Sequence, residues 1–400
     1  MDENKPESSA DSDAPEFPLF DGGSLFGLER PLKRLWFDRF SLLQRIILTV
    51  CVAWVPLAIL AAIQGVALGR TQPESFLKDA GMYARFLVAL PLLLQAPYRC
   101  RHNFQRIMQH FLESGLIRDD ERERYRTILS STMQLRNAPL TDWVFLALAY
   151  GYSAYLVAIT VFAADFPSSW RALGYEEHRK LTLAGWWFVA VSQPVYTYVV
   201  VRFLYRVGLW WNALWQVSHL DLQIEGSHPD GGGGLMFLGL SLRPLEWPAA
   251  GLAASLASGL ATFVLSAGQP VLNYKYLIGF IAAVITSLFV GPLLFFYNPL
   301  KNARFHAWLS HGVAVQEQVR QFERKWIDSR SRPADMLAVQ DFSAVIDLNS
   351  TVAGVYRMTK LPFQRNQLLE LITVALLPFA AVAALQIPLK DIWALFKMLM

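Results

Sequence analysis

Seven stretches of about twenty apolar residues decide what this chain can fold into. The clearest, 46–67, holds no Asp, Glu, Lys or Arg. As a helix such a run reaches across about 30 Å of hydrocarbon and satisfies its own peptide groups, which lipid cannot do. The others are 77–97, 143–164, 181–201, 247–274, 276–300 and 371–389; Arg85 interrupts the second. Only 17% of the 400 residues are charged, against about 25% in soluble domains, and the deficit lies in these runs. Thirteen Trp, fourteen Tyr and twenty-six Phe suit the aromatic belts of a bilayer protein. The expected fold class is an all-α polytopic membrane protein with about seven transmembrane helices over 46–389.

The flanks differ in character. Residues 1–23 open with Asp2, Glu3, Glu7, Asp11, Asp13 and Glu16 against a single Lys5 and have no apolar core, so they read as a disordered acidic tail. Over 24–45, Leu32, Leu35, Trp36 and Phe40 recur at helical spacing among Arg30, Lys33, Arg34 and Arg39, which predicts a basic amphipathic segment at the membrane surface. Residues 390–400 read as a second amphipathic segment, on the outer surface. With the N-terminus inside, 27 of the 36 lysines and arginines fall on inside segments. That bias predicts N-terminus in and C-terminus out, with helical cytoplasmic insertions at 99–136, 202–243 and 301–366.

Two insertions carry internal pattern. In 99–136, Phe104, Met108, Phe111 and Leu112 precede a break at Ser114-Gly115. Asp119, Asp120 and Glu121 then suit the start of a second helix with Tyr125, Ile128, Leu129 and Met133 on its apolar face. In 301–366, Phe305, Trp308, Gly312, Val315, Val319, Phe322 and Trp326 alternate by three and four, a seam over three heptads. It predicts either a contact with a second copy, making a homo-oligomer, or packing against this chain's own next helix, placed at 334–355.

Charged and polar residues in the spans are the candidate site. Arg85 lies at bilayer depth, where a cation is retained for function or snorkels to the surface; Asp165 is its expected partner. Gln193-Pro194 offers a polar, kinked point in the fourth span. Outside the spans, Ser227-His228-Pro229-Asp230-Gly231-Gly232-Gly233-Gly234-Leu235 is the least ordinary run. The glycines end any helix, and Asp230 can bond the amides after it. The run reads as a structural turn, as a backbone nest for an anion, or, with His219, Asp221 and Glu225, as a cation site. It lacks the Gly-Lys-Ser/Thr ending of a P-loop. Cys51 and Cys100 form no metal spacing, so the expectation is no metal and no cofactor. No Gly-x-Ser-x-Gly or His-Glu-x-x-His run points to an enzyme, and no nucleic-acid partner is expected.

The run His228–Leu235, followed by Phe237-Leu238-Gly239 between spans, resembles a group of bacterial inner-membrane proteins. The resemblance implies a bacterial inner membrane and brings no activity with it. The seven-span plan with its inside N-terminus is similar in architecture to the insect odorant and gustatory receptor channels. That likeness implies an oligomer whose seventh span lines a pore, with Glu370 near the inner mouth and Thr373 facing the path. The leading functional expectation is therefore an oligomeric ion channel or passive conduit in the bilayer. The alternatives are a non-enzymatic sensor or assembly platform acting through the glycine turn, and a transporter of a small solute using Arg85 and Gln193.

Overall fold

The computed structural model describes residues 17–20, 41–68, 75–162, 169–173, 180–267, 270–327 and 340–384, and it is mostly helical. In chain order the helices are α1 (Leu42–Ile63), α2 (Ala80–Glu113), α3 (Arg122–Asn137), α4 (Pro139–Phe162), α5 (Leu183–Val217), α6 (Leu242–Ala267), α7 (Lys275–Val290), α8 (Tyr297–Phe322), α9 (Gln340–Arg357) and α10 (Arg365–Ala384). Seven helices are long and apolar enough to cross a membrane: α1, α2, α4, α5, α6, the α7–α8 rod Val271–Phe322, and α10. A two-stranded antiparallel pairing of β1 (Ala172–Leu173) with β2 (Lys180–Leu181) precedes α5.

Lipid is the solvent these surfaces require. α1 is apolar all round, yet Ile47, Ile59 and Ile63 stand 52%, 54% and 70% exposed. A helix of that kind is either enclosed in a core or bathed in hydrocarbon. α5 and α6 lie innermost. Ala249, Ala253 and Ala257 give α6 a buried face of small side chains. A Cβ added at Gly251 would lie 3.2 Å from the Ala89 carbonyl of α2. Small residues of this kind let membrane helices approach closely.

Prolines fix much of the packing. A proline inside a helix leaves the carbonyl four residues earlier without its usual donor, and in hydrocarbon another group must supply one. Pro56 frees the carbonyl of Val52, which accepts from Trp187 Nε1 at 3.3 Å. Pro194 frees Ala190, which accepts from the Tyr150 hydroxyl at 3.2 Å. Pro292 frees Leu288, which accepts from Trp211 Nε1 at 2.8 Å. Each repair joins a different pair of helices: α5 to α1, α4 to α5, α5 to α7. Immediately before Pro91 and Pro194 the helix also widens into π turns, Ala84–Ala89 in α2 and Phe188–Ser192 in α5.

Several expectations are corrected. Residues 17–20 do not belong to a disordered tail: Phe17, Leu19 and Phe20 are buried, with the Phe20 ring 4.6 Å from Phe104 and 6.4 Å from Phe203. Arg206 Nη1 donates to the Phe20 carbonyl at 2.9 Å, and Arg136 Nη1 donates to that of Pro18. Two carbonyl bonds, one of them buried, and an aromatic slot outweigh the acidic composition around this short segment. The surface segment expected over 24–45 lies outside the described residues up to 40, and from Ser41 onward the chain is already the cap and first turn of α1, with Ser41 and Gln44 closing a capping box. The expected segment 390–400 and Asp165 lie outside the described residues. The fourth span continues past Arg202 as the helical insertion from 202 requires, with Phe203, Val207, Trp210 and Leu214 extending its buried face, and the helix ends at Val217, short of the expected Leu222.

α2 ends at Glu113, Gly115 takes φ of 72°, and a 3-10 turn at Asp119–Glu121 leads into α3. The Tyr125 hydroxyl donates to the Met108 carbonyl at 2.7 Å and fastens the two helices. The seam on α8 meets the chain's own α9: Arg304 Nη2 donates to the Tyr356 carbonyl at 3.0 Å, and the Trp308 and Tyr356 rings lie 6.4 Å apart. Phe305, Trp308 and Val319 keep exposed surface, and Val315 and Phe322 are half-buried. The side chain of Trp326 lies outside the described residues.

Candidate functional site

The glycine turn is built around one carboxylate. Asp230 Oδ1 accepts from the amides of Gly232 at 2.8 Å and Gly234 at 3.1 Å, and Oδ2 accepts from that of Met236 at 3.1 Å. His228 Nδ1 stands 2.9 Å from Oδ1 and 3.3 Å from the Asp230 amide; a proton on Nδ1 serves the shorter contact. Burial raises the Asp230 pKa, but the three amides and His228 outweigh it and hold the carboxyl below its usual range. The backbone nest is therefore filled by the chain's own side chain, and the amides an external anion would use are already bonded. Nor does a cation cluster form. His219 Nδ1 bonds the Trp215 carbonyl at 2.7 Å, and Asp221 pairs with Arg118 at 2.7 Å. Among the described residues no three His, Cys, Asp or Glu side chains gather as a metal ion requires.

What the turn does is join. The Gly231 carbonyl accepts from the Thr359 amide at 2.8 Å, ahead of α10. A Cβ at Gly226 would lie 2.2 Å from that of Ala307 on α8, and one at Gly233 would lie 2.4 Å from Ile224 Cγ2 and 2.9 Å from Met358 Cε. Gln223 donates its amide to the Leu116 carbonyl at 2.9 Å, reaching the α2–α3 connection. Pro229 precedes the turn as an exposed residue.

The second constellation lies between the candidate spans α2 and α5. Arg85 and Gln193, from the two π-widened helices, meet directly: Arg85 Nη1 donates to Gln193 Oε1 at 3.0 Å, and Gln193 Nε2 donates to Thr197 Oγ1 at 2.9 Å. Gln193 is ten residues into α5 from Leu183, about 15 Å along the helix, and Arg85 is five residues into α2 from Ala80. The Arg85 guanidinium carbon lies 5.5 Å from the Tyr196 ring centre, and Tyr196 and Ser255 of α6 both line the space beside it. These groups form the polar wall of a cavity of about 630 Å³. Its other walls are Leu252, Leu256, Leu260, Phe263, Leu277 and Ile281. No carboxylate pairs with Arg85 among the described residues, and its Nε is buried with no hydrogen-bond partner. Arg85 thus turns to Gln193 of the neighbouring helix.

Thr373 and Glu370 do not join this site. The Thr373 hydroxyl bonds the Leu369 carbonyl of its own helix at 2.8 Å, and both residues stand exposed on α10. Sequence reasoning missed a neighbouring trio. Asp79 Oδ2 accepts from Trp170 Nε1 at 3.0 Å and lies 3.5 Å from Arg171 Nη2. Burial lowers the Arg171 pKa, Asp79 opposes that, and Arg85 is close enough for the two cations to repel. A charge in a short connection is no signal in itself; only the fold brings 79 to 171.

Compared with known protein families, curated proteins and solved structures, the chain matches none. Fold and site together define a multi-pass helical membrane protein with a largely apolar cavity, polar on one wall, between its spans.

Proposed function

We propose that this chain is a multi-pass protein of a bacterial inner membrane that carries a small anionic solute, held in transit at Arg85. The N-terminus and the glycine turn are cytoplasmic in this reading, on the strength of the lysine and arginine bias. One observation carries the function: a guanidinium between two candidate spans, bonded to Gln193 and with no acidic partner among the described residues, lines a cavity large enough for a small molecule. A charge there costs about 3 kcal/mol or more, and such residues mark solute paths. Gln193 offsets part of that cost and orients the fork; an anion offsets the rest. Saturable uptake of acetate or octanoate into proteoliposomes tests the reading. Arg85→Ala is expected to abolish uptake and Arg85→Lys to retain part of it; equal uptake by wild type and Arg85→Ala overturns it.

The oligomeric-channel reading has an observation of its own. Phe305, Trp308, Leu309 and Val313 stand exposed on α8, which extends beyond the span and offers an apolar strip to a second copy. Particle mass in nanodiscs decides it, with a monomer counting against a channel.

A further inference from the structure

The cavity has its mouth among the spans. Tyr152 of α4, Leu256 and Phe263 of α6, and Leu277 of α7 line it and are all 44% or more exposed, on helix surfaces that face hydrocarbon. Gln193, Tyr196 and Leu260 form its buried back. α4 packs chiefly on α5, while α6 packs on α2, α7 and α10, so a slot is left between α4 and the α6–α7 pair.

We propose that the occupant is a single-chain amphiphile with an anionic headgroup, such as a long-chain carboxylate, and that it slides into the cavity sideways from the bilayer. The inference rests on the anion-carrying reading above and names its substrate class. Its ground is the split between the two ends of the cavity. Arg85, Gln193 and Thr197 gather at the back, whereas leucine, isoleucine and phenylalanine line the way in. A hydrated inorganic anion would have to shed its water to pass an apolar slot, a steep cost. An amphiphile leaves its chain in surroundings like those it came from and brings only the headgroup to the guanidinium. There the guanidinium has no acidic partner among the described residues, and an arginine fork suits two carboxylate oxygens at once. The volume of about 630 Å³ also exceeds by far what a lone acetate fills.

Gly259 gives a clean test, because it lines the cavity and a Cβ there meets nothing within 4 Å. Gly259→Leu adds a branched side chain at the cavity wall from a Cβ position that has no neighbour within 4 Å. The full chain in phosphatidylcholine nanodiscs is titrated with spin-labelled palmitate, with octanoate, acetate and inorganic phosphate as competitors. Palmitate is expected to bind, with octanoate competing at least about tenfold more weakly and acetate and phosphate not competing. Arg85→Ala and Gly259→Leu should each weaken palmitate by about tenfold or more, with thermal unfolding of Gly259→Leu unchanged. Palmitate binding indifferent to Gly259→Leu is contact with the protein's lipid surface and overturns the inference. Acetate or phosphate binding that Arg85→Ala removes, with no palmitate binding, overturns the amphiphile and leaves the anion carrier standing. Binding of none of the four overturns both.

Discussion

Arg85 and Gln193 stand 108 residues apart in the chain and 3.0 Å apart in the fold. Their contact joins α2 to α5 where each helix widens ahead of a proline. π turns of this kind recur at functional sites, and here they bring an arginine and a glutamine together beside a cavity. In a double-mutant cycle of Arg85→Ala and Gln193→Ala, read by unfolding in detergent, we expect a coupling of about 1 kcal/mol, the usual size for polar pairs between membrane helices. Additive losses would mean the bond contributes nothing.

The repaired proline carbonyls predict an unusual reversal. Tyr150→Phe removes the donor to Ala190 and should cost about 1 kcal/mol. In a Pro194→Ala background the new amide at 194 can bond Ala190 itself, so the same substitution should cost almost nothing there. Unfolding midpoints of the four proteins measure it.

Asp230 holds the glycine turn through three amides, and Asp230→Ala strands them, at a cost of about 2–3 kcal/mol. The pH dependence follows from its lowered pKa. A carboxyl held lower in the folded than in the unfolded chain stabilises fully above its unfolded value of about 4, and that contribution disappears as pH falls through the folded value. Acid should therefore close the stability gap between wild type and Asp230→Ala, and only below about pH 4. A gap that stays constant to lower pH would place the effect elsewhere.

Two glycines of the same turn separate backbone strain from crowding. Gly231 and Gly233 both take positive φ, 69° and 66°. A Cβ at Gly231 meets nothing within 4 Å, whereas at Gly233 it meets Ile224 and Met358. Gly231→Ala should cost about 1–2 kcal/mol. Gly233→Ala should cost clearly more, with the excess relieved by Ile224→Ala.

Phe20 lies between Phe104 and Phe203, and its carbonyl accepts from Arg206. Phe20→Ala is expected to lower stability by about 3 kcal/mol, whereas a free acidic tail would tolerate it without effect.

The spans were legible because an uncharged run of bilayer length has few other fates, and Arg85 and Gln193 were legible because polarity at that depth is costly. The α2–α3 connection was readable too, from the Gly115 break and the acidic turn at 119–121. What could not be read is pairing at a distance. Nothing in the order of residues matches Trp187 to Val52, Tyr150 to Ala190 or Trp211 to Leu288; those matches arise when helices meet. For the same reason Asp79 and Arg171 went unseen, and Phe17–Phe20 was hidden by its acidic neighbours. The glycine run announced a turn, but only geometry shows that Asp230 occupies the nest it makes.

Anion binding at Arg85 is the central proposal. Equilibrium titration of the reconstituted protein with carboxyl-labelled octanoate, followed by the shift of the carboxyl resonance, measures this directly. We predict a saturable shift in the wild type, weakened in Arg85→Lys and absent in Arg85→Ala. A shift of the same size and affinity in Arg85→Ala would contradict it.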